Sequence, residues 1–422
     1  MATPIFKITP TVQQYDWGKL GLSSKVAQFA TAAGLADFVV DDSSPYAELW
    51  MGTHPKSPSV VPSIGKPLSQ CLNKNPTLIG EAVIKKFSSE DGNLPFLFKV
   101  LAIEKALSIQ SHPDLETAKV LHTQQPDIYK DPNHKPEMAL ALTPFTALCG
   151  FLPLPQIAAY LSVTPEFAAL VTPSIAKRFN LAAASADLDA EAKQALKDVF
   201  SAVMTAEETE FKAQLKALVA RYQAGNERDE ERDVKDLVLK LDEQFPGDIG
   251  IFCVYLLNYV KLQPGEAIFL GAGEPHAYVS GDIMECMANS DNVIRAGLTP
   301  KLRDIPNLVS TLTYTAAPAT KHRVQPSPFP GASTYSTLYD PPIPEFSVVQ
   351  VVVPAEHHES HPALEGPSIA IVTEGNGSVS WGGKSDSLEL SKGEVFFVSA
   401  DLAATFTAVG EGLVVYRAFV EA

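Results

Sequence analysis

The stretch LSIQSHPD (residues 107–114) sets a glutamine and a histidine two residues apart, Gln110 and His112, ahead of a proline. Side chains two apart on an extended strand point to one face, so this pair would present an amide and an imidazole together. Further along, NHKPEMALAL sets Glu137 just ahead of an apolar run, behind His134 and Lys135. GAGEPHAY sets His276 after two glycines that permit a tight backbone turn. Two imidazoles, one carboxylate and one amide oxygen form a mixed nitrogen and oxygen donor set. Such donors suit zinc and other borderline divalent metals, with room left for water or substrate. A closed structural zinc site favours cysteine, which these segments lack. Each residue also has an ordinary reading: Gln110 as a polar strand residue, His112 as a turn before Pro113, His276 as a satisfied loop histidine, Glu137 as a strand-end carboxylate. Spacing alone does not pair ligands so far apart in one chain.

The elements that must position these groups are bounded by the totals. At 422 residues the chain is long enough for two or three domains. An apolar content of 45% with 19% charged residues is that of an ordinary globular protein. Cys71, Cys149, Cys253 and Cys286 are scattered without a CxxC pair, which argues against a disulfide framework or thiolate zinc site and fits a reducing compartment. The opening MATPIFKITPTVQQYDWG lacks a basic segment followed by an apolar run, so no secretory signal is expected. The longest apolar stretch, within DIGIFCVYLLNYVKL, is about half a membrane span. A cytoplasmic location is expected. The net charge of −16, with no lysine or arginine run, argues against nucleic acid as a partner. Fields from exposed charges fade over roughly 8 Å at physiological salt, so a phosphate would bind only where cations gather locally.

Three compositional zones follow one another. Residues 1–151 alternate short apolar runs with Pro, Gly and Asp/Asn punctuation, a β-rich pattern in which LPFLFKVLAI and EMALALTPFTALCGF are the strongest strands. From about 152 to 250 the period changes. Phe211, Leu215, Leu218, Val219 and Tyr222 form one helical stripe, and Val234, Leu237, Val238 and Leu241 another, ended by Pro246-Gly247. The charge run AGNERDEERD between them reads as a solvated loop and helix start. This zone has no histidine, so it is expected to support or cover a site rather than supply its ligands. From about Lys261 the strand-and-turn texture returns. PGEAIFLGAGEPHA and KGEVFFVSADLAAT look alike, which points to two related β-barrel or jelly-roll units. Aligned without gaps, His276 falls opposite Ala404, so only the first unit keeps its ligand.

QQYDWGKLG, YAELWMGTHP, LPFLFKVL, LSIQSHPD, NHKPEMALAL and GEPHAYVSGDIMECMANSDNVIRAGLTPK, with the helical stretch among them, resemble the type I mannose-6-phosphate isomerase (phosphomannose isomerase) family over essentially the whole length. The last segment is long and specific. The resemblance implies a zinc enzyme of the cupin superfamily with one Zn2+ per chain, held by Gln110, His112, Glu137 and His276. It implies an active-site arginine at Arg295. It also implies interconversion of mannose 6-phosphate and fructose 6-phosphate, which supplies mannose 6-phosphate for GDP-mannose, glycosylation and cell-wall mannan. The implied partner is a small sugar phosphate, with neither nucleic acid nor membrane involved, and the expected state is a monomer.

That reaction moves a proton between C2 and C1 through an enediol(ate). It needs an electrophile for the carbonyl oxygen, a base near carbon and an anchor for phosphate. Glu285 in DIMECM and His134 are the two candidate bases, with Glu285 preferred and Lys135 as proton donor or oxygen stabiliser. His134 has an equal reading as a structural hydrogen bond ordering the HKPE loop. Arg295 and Lys301 are the best local cations for phosphate, with Ser108 as a hydroxyl donor, and Arg303 reads as a surface charge. Lys99 lies inside the apolar run FLFKVL, where an unpaired ammonium is costly, so it needs a carboxylate or substrate partner. Trp17, Glu48 and Tyr278 are candidates for the pocket lining, with core packing an equal reading for Trp17.

HHESHP carries His357, His358 and His361, followed by Glu365, and resembles a worn cupin metal motif. Its matching second segment has no histidine, so these are expected to be exposed residues before a strand. His54 and His122 read as structural, and His322 has no visible partner. The expected architecture is mainly β with an α-helical insertion. Residues 1–151 with 251–325 form a catalytic cupin-like domain, 152–250 the helical insertion, and 326–422 a C-terminal cupin-like domain lacking metal ligands. Two rivals remain at this point. One is an iron cupin oxidoreductase, which leaves the amide ligand and cation cluster unexplained; the other is a non-catalytic sugar-phosphate binder, which leaves Arg295 and the base without purpose.

Overall fold

The computed structural model describes residues 3–185, 189–332, 334–384 and 386–422. The strand Phe96–Ile103 is buried at every position, and its two faces serve different cores. Leu101 and Ile103 join an interior cluster with Ala139, Ala141, Phe145 and Tyr278. Phe98, Val100 and Ala102 join another with Met138, Leu140, Val348, Ile369 and Phe397. A strand covered on both faces reads as a continuous apolar run, which is what FLFKVLAI is. Lys99 belongs by parity to the interior face, so the one charge in the run points into the first unit.

That unit is a largely antiparallel sheet in the order Arg323–Val324, Ala267–Leu270, Glu137–Ala141, His276–Ala288, Phe96–Ile103, Glu48–Met51, Thr11–Gln13. Phe145–Phe151, Leu257–Leu262, Ile109–Ser111 and Ile294–Gly297 continue it around the other side. The joint is the long strand His276–Ala288. Its first half pairs with Phe145–Phe151 and Gln110, and its second half with Phe96–Ile103 and Glu137–Ala141. The change of partners happens at Gly281, whose φ is +116° and where a Cβ would lie 2.6 Å from the Pro144 carbonyl oxygen. Only glycine fits there, and the bend turns both halves toward one interior.

A second antiparallel sheet runs Ile5–Ile8, Val395–Val398, Ser368–Trp381, Ala404–Phe419, Ser347–Val353, Ser336–Tyr339, Ser327–Pro328. The chain's first strand, Ile5–Ile8, pairs with Val395–Val398 of this second sheet and so links the start of the chain to it. Ile5 packs in that unit's interior and Ile8 in the core between the sheets. Such a non-local pairing leaves no mark on a four-residue strand.

Helices Leu154–Val163, Pro165–Ala168, Pro173–Ala183, Ala190–Met204, Glu208–Gln223 and Arg232–Gln244 fill the stretch between the strands Phe145–Phe151 and Leu257–Leu262. The two stripes face inward: Phe211, Leu215, Leu218, Tyr222, Val234, Leu237, Val238 and Leu241 are buried, with Val219 partly so. Asp189 and Thr172 accept backbone N–H groups at the starts of two helices, as N-caps do. The charge run is not wholly solvated. Glu231 is fully buried, accepting from Arg221 Nη1 at 2.6 Å, Thr164 Oγ1 at 2.7 Å and the Arg228 N–H at 2.8 Å.

His361 is likewise buried rather than exposed, while His357 and His358 lie at the surface. It ends the strand His358–His361 opposite Ala404, as Gln110 lies opposite His276 in the first unit. Its Nδ1 receives Arg417 Nη1 at 3.0 Å, and its Nε2 meets Ser336 Oγ at 2.8 Å. His322 also has a neighbour, since its Nε2 is 4.0 Å from Glu274 Oε2. His122 Nδ1 meets the Tyr129 carbonyl at 2.7 Å, and His54 Nε2 is 3.6 Å from Asp291.

Candidate active site

At the bend of the first unit, His112, Glu137 and His276 converge with one donor atom each, all within 4.8 Å of one another and all buried. His112 Nε2 lies 3.5 Å from Glu137 Oε1, and His276 Nε2 lies 3.3 Å from Glu137 Oε2. Each ring is oriented from behind. His112 Nδ1 is 2.6 Å from the Asn292 carbonyl oxygen, and His276 Nδ1 is 2.9 Å from that of Glu274. A carbonyl accepts only, so both Nδ1 atoms carry the proton and both Nε2 lone pairs face the carboxylate. Among the described residues neither Nε2 has a hydrogen-bond partner.

Two lone pairs aimed at an anion repel unless a cation sits among them. The donor set therefore fits a divalent metal, and its chemistry is that of zinc. Burial pulls the His112 imidazole down to about 4, so it stays neutral and available to ligate. Burial works against ionising Glu137, but the neighbouring Lys135 ammonium outweighs it and holds the carboxyl well below its usual range. Lys135 Nζ is 2.9 Å from Glu137 Oε1. Gln110 is half-buried, in register with His276 on one side and Arg295 on the other, and lines the same cavity.

That cavity encloses about 900 Å³. Of the residues singled out in the sequence, Trp17, Glu48, Lys99, Ser108, Gln110, Lys135, Glu137, Tyr278, Glu285, Arg295 and Lys301 line it. His134 does not. Its Nε2 is 2.5 Å from Glu345 Oε1, on the C-terminal side of the chain. His112 and His276 are buried, and they meet the cavity-lining Glu137 in the three-residue cluster. Arg303 stays outside, donating to the Ala296 carbonyl.

The buried wall holds a second charged group. Lys99 Nζ lies 3.2 Å from Glu285 Oε2, 3.5 Å from Glu48 Oε2 and 4.8 Å from the centre of the Trp50 ring. Trp50 Nε1 donates to Glu48, fixing that carboxylate. Burial disfavours the Lys99 charge, yet Glu48, Glu285 and Glu137 together hold its ammonium well above the usual range. Burial pushes the Glu285 carboxyl up, and Glu137 adds to the rise while Lys99 opposes it. The result is a buried carboxyl tuned toward neutrality, the property of a general base. Arg295 and Lys301 also line the cavity, and among the described residues neither is ion-paired to a carboxylate.

Three features escaped the sequence. Lys105 lines the cavity with its ammonium 4.5 Å above the Phe245 ring, and nothing in EKAL marks it. Asp248, just past the helical stretch, accepts from the N–H groups of Gly250, Leu298 and Thr299 at 2.7, 2.8 and 3.1 Å. It thereby fixes the loop that carries Lys301. Gln244 Oε1 also accepts from the Ala106 N–H at 2.9 Å, so the last helix of the insertion braces the segment leading to Ser108.

The chain matches the family model for phosphomannose isomerase type I in three parts: the catalytic domain over residues 5–154, the helical insertion domain over 170–257 and the C-terminal part over 336–384. It is 48% identical to "Mannose-6-phosphate isomerase" of Cryptococcus neoformans var. neoformans, with 100% of each chain covered. It is 45% identical to the Saccharomyces cerevisiae protein of that name, again over 100% of each. Among solved structures, a zinc-bound mannose 6-phosphate isomerase superposes with a TM-score of 0.81 at 32% identity, covering 100% of both chains. An apo form from Salmonella typhimurium gives 0.81 at 31% identity, with 100% of both covered. By sequence over its whole length, and by fold, the chain belongs to the type I phosphomannose isomerase family.

Proposed function

We propose that this chain is a zinc-dependent mannose-6-phosphate isomerase that interconverts mannose 6-phosphate and fructose 6-phosphate. The observation that carries this reading is the pair of unpartnered imidazole Nε2 atoms facing Glu137 at the edge of a cavity that also holds Glu285 and Arg295. Gln110, His112, Glu137 and His276 would hold one zinc ion. When bound, that ion supplies Lewis-acid polarisation of a substrate oxygen.

The chain's own residues do the rest. Glu285 accepts the proton from C2 of the open-chain aldose, and the electrons pass into a C1–C2 double bond. The carbonyl oxygen takes up a proton from the Lys135 ammonium, which makes the enediol. Glu285 returns its proton to C1 as the O2 proton passes back to Lys135, so the ketose forms with no net change in protons. Lys99 holds the Glu285 carboxylate between turnovers, at 3.2 Å. Lys135 supports the Glu137 carboxylate and supplies an ammonium to the developing oxygen charge. Arg295, with its planar fork, and Lys301 and Ser108 anchor the phosphate, while Trp17, Tyr278 and Glu48 shape the sugar site.

The product role that follows is supply of mannose 6-phosphate for GDP-mannose and glycosylation. A cytoplasmic setting is supported by four buried cysteines without a disulfide. Among the described residues no helix is long and apolar enough to cross a membrane. One chain supplies every residue of the proposed site, so a monomer suffices.

A coupled assay for fructose 6-phosphate formation, run with and without chelator, tests this reading. The expected result is turnover without oxygen consumption, lost on chelation and restored by zinc. Turnover that survives complete metal removal, or that requires oxygen, overturns it.

A further inference from the structure

Asp131 stands outside the cavity, yet its carboxylate gathers donors from both loops that flank the metal cluster. Oδ1 accepts from the Asn133 N–H at 3.0 Å, from Ser290 Oγ at 2.8 Å and from Asn292 Nδ2 at 3.3 Å. Oδ2 accepts from the Asp291 N–H at 2.8 Å. The Asn292 amide nitrogen also donates to the carbonyls of Asp131 at 2.7 Å and Asn133 at 2.9 Å. Ser290 Oγ closes the knot, donating to the Asn133 carbonyl at 3.1 Å as an alternative to Asp131 and accepting from the Asn292 N–H at 3.1 Å.

What this knot fixes is the Asn292 main chain. The Asn292 carbonyl is the acceptor, at 2.6 Å, for His112 Nδ1. It selects the tautomer and aims the Nε2 lone pair. On the other side the knot ends at Asn133, two residues before Lys135 and four before Glu137. One carboxylate therefore sets the separation between the loop that orients His112 and the loop that delivers Glu137. Charged acceptors make the stronger hydrogen bonds, which suits a post that holds four donors.

We propose that Asp131 is a positioning residue for the metal centre, acting through Asn292 on the tautomer and aim of His112. This rests on the reading of His112 as a metal ligand. Loss of such outer partners elsewhere costs roughly ten- to hundred-fold in metal affinity.

The test is zinc affinity of the full chain, measured by competition with a chromophoric chelator, alongside the melting temperature and the 15N signals of the His112 ring. Asp131→Ala is expected to weaken zinc by roughly ten- to hundred-fold and to mix the two ring tautomers. Asp131→Asn keeps one acceptor oxygen and is expected to recover part of that loss. Ser290→Ala, which removes a single hydroxyl from the knot, is expected to weaken zinc in the same direction. If Asp131→Ala and Ser290→Ala both bind zinc as tightly as the native chain, whatever their melting temperatures, the inference is overturned. His112→Ala separates the two levels. If it binds zinc like the native chain, the ligand reading itself fails; if it loses zinc while the Asp131 and Ser290 variants keep it, only the positioning role fails.

Discussion

Lys99 and Glu285 occupy paired positions on adjacent strands, Nζ to Oε2 at 3.2 Å, with both side chains buried. The pair makes a pH prediction. Burial raises the Glu285 pKa, and Lys99 pulls against that rise. The carboxylate form of a raised acid grows in as pH climbs through its pKa, so kcat/KM should show an ascending acid limb. Lys99→Met removes the opposing charge, so the limb should move to higher pH and the rate at its foot should fall. Glu285→Gln should lose roughly 10²-fold or more in kcat while retaining zinc. Rate profiles against pH, with metal content, check both; a limb shifted to lower pH contradicts the assignment.

Arg295 faces the cavity half-buried, and burial lowers its guanidinium pKa. Arg295→Ala should cripple turnover and raise KM for the sugar phosphate with metal content near normal. Arg295→Lys restores charge but not the two-pronged geometry, so it should recover only part of the loss. Steady-state kinetics with zinc analysis decide this. Zinc lost with kinetics intact would reverse the roles assigned to Arg295 and to the ligands.

Much of this site was legible because its residues sit inside patterned segments. Gln110 stands two places from His112 on a strand edge, and Lys99 is the single charge in an apolar run, so each announces an unusual environment. The helical insertion was legible from period alone, as the burial of Leu215, Leu218, Leu237 and Leu241 reflects. The rest depended on pairings between distant parts of the chain. Nothing local tells that Ile5 pairs with Val398, that His361 meets Arg417, or that Glu231 lies under Arg221. A polar residue in a polar stretch carries no sign of the partner that buries it. Asp131 is hidden for the same reason, since its role appears only once residues 290–292 are folded against it.

Arg221 and Glu231 set an acid-stability prediction. Arg221 forks onto Glu166 through Nε at 2.9 Å and Nη2 at 2.9 Å, and onto Glu231 through Nη1 at 2.6 Å and Nη2 at 2.7 Å. Burial alone would raise the Glu231 pKa, but Arg221, the Arg228 N–H and Thr164 carry it below the usual carboxylate value. Its contribution to stability is therefore full above the unfolded-state value of about 4.3 and is lost as pH falls through the depressed folded value. Arg221→Met strands two carboxylates and should cost about 3–5 kcal/mol. Urea melts at neutral and acid pH check this. The variant's deficit should shrink as Glu231 becomes protonated.

His134 and Glu345 supply the contrast that ranks the two candidate bases. The His134 ring meets Glu345 rather than the cavity, and Glu345 is buried beyond the helical insertion in sequence. Held there, His134 ties the loop carrying Lys135 and Glu137 to the second unit, whereas Glu285 opens on the cavity itself. A proton mover must reach substrate carbon, and a tether need not. His134→Asn should therefore change kcat by only about threefold while lowering stability by about 1.5–3 kcal/mol, the usual worth of a hydrogen bond to a charged group. Glu345→Ala should reproduce that stability loss, because it cuts the same link from the other end, and the double variant should add little to either. The decisive comparison is kcat of His134→Asn against Glu285→Gln at matched zinc content. If His134→Asn loses as much rate as Glu285→Gln while its melting curve is unchanged, the imidazole must leave Glu345 during turnover, and His134 takes over the proton transfer assigned to Glu285.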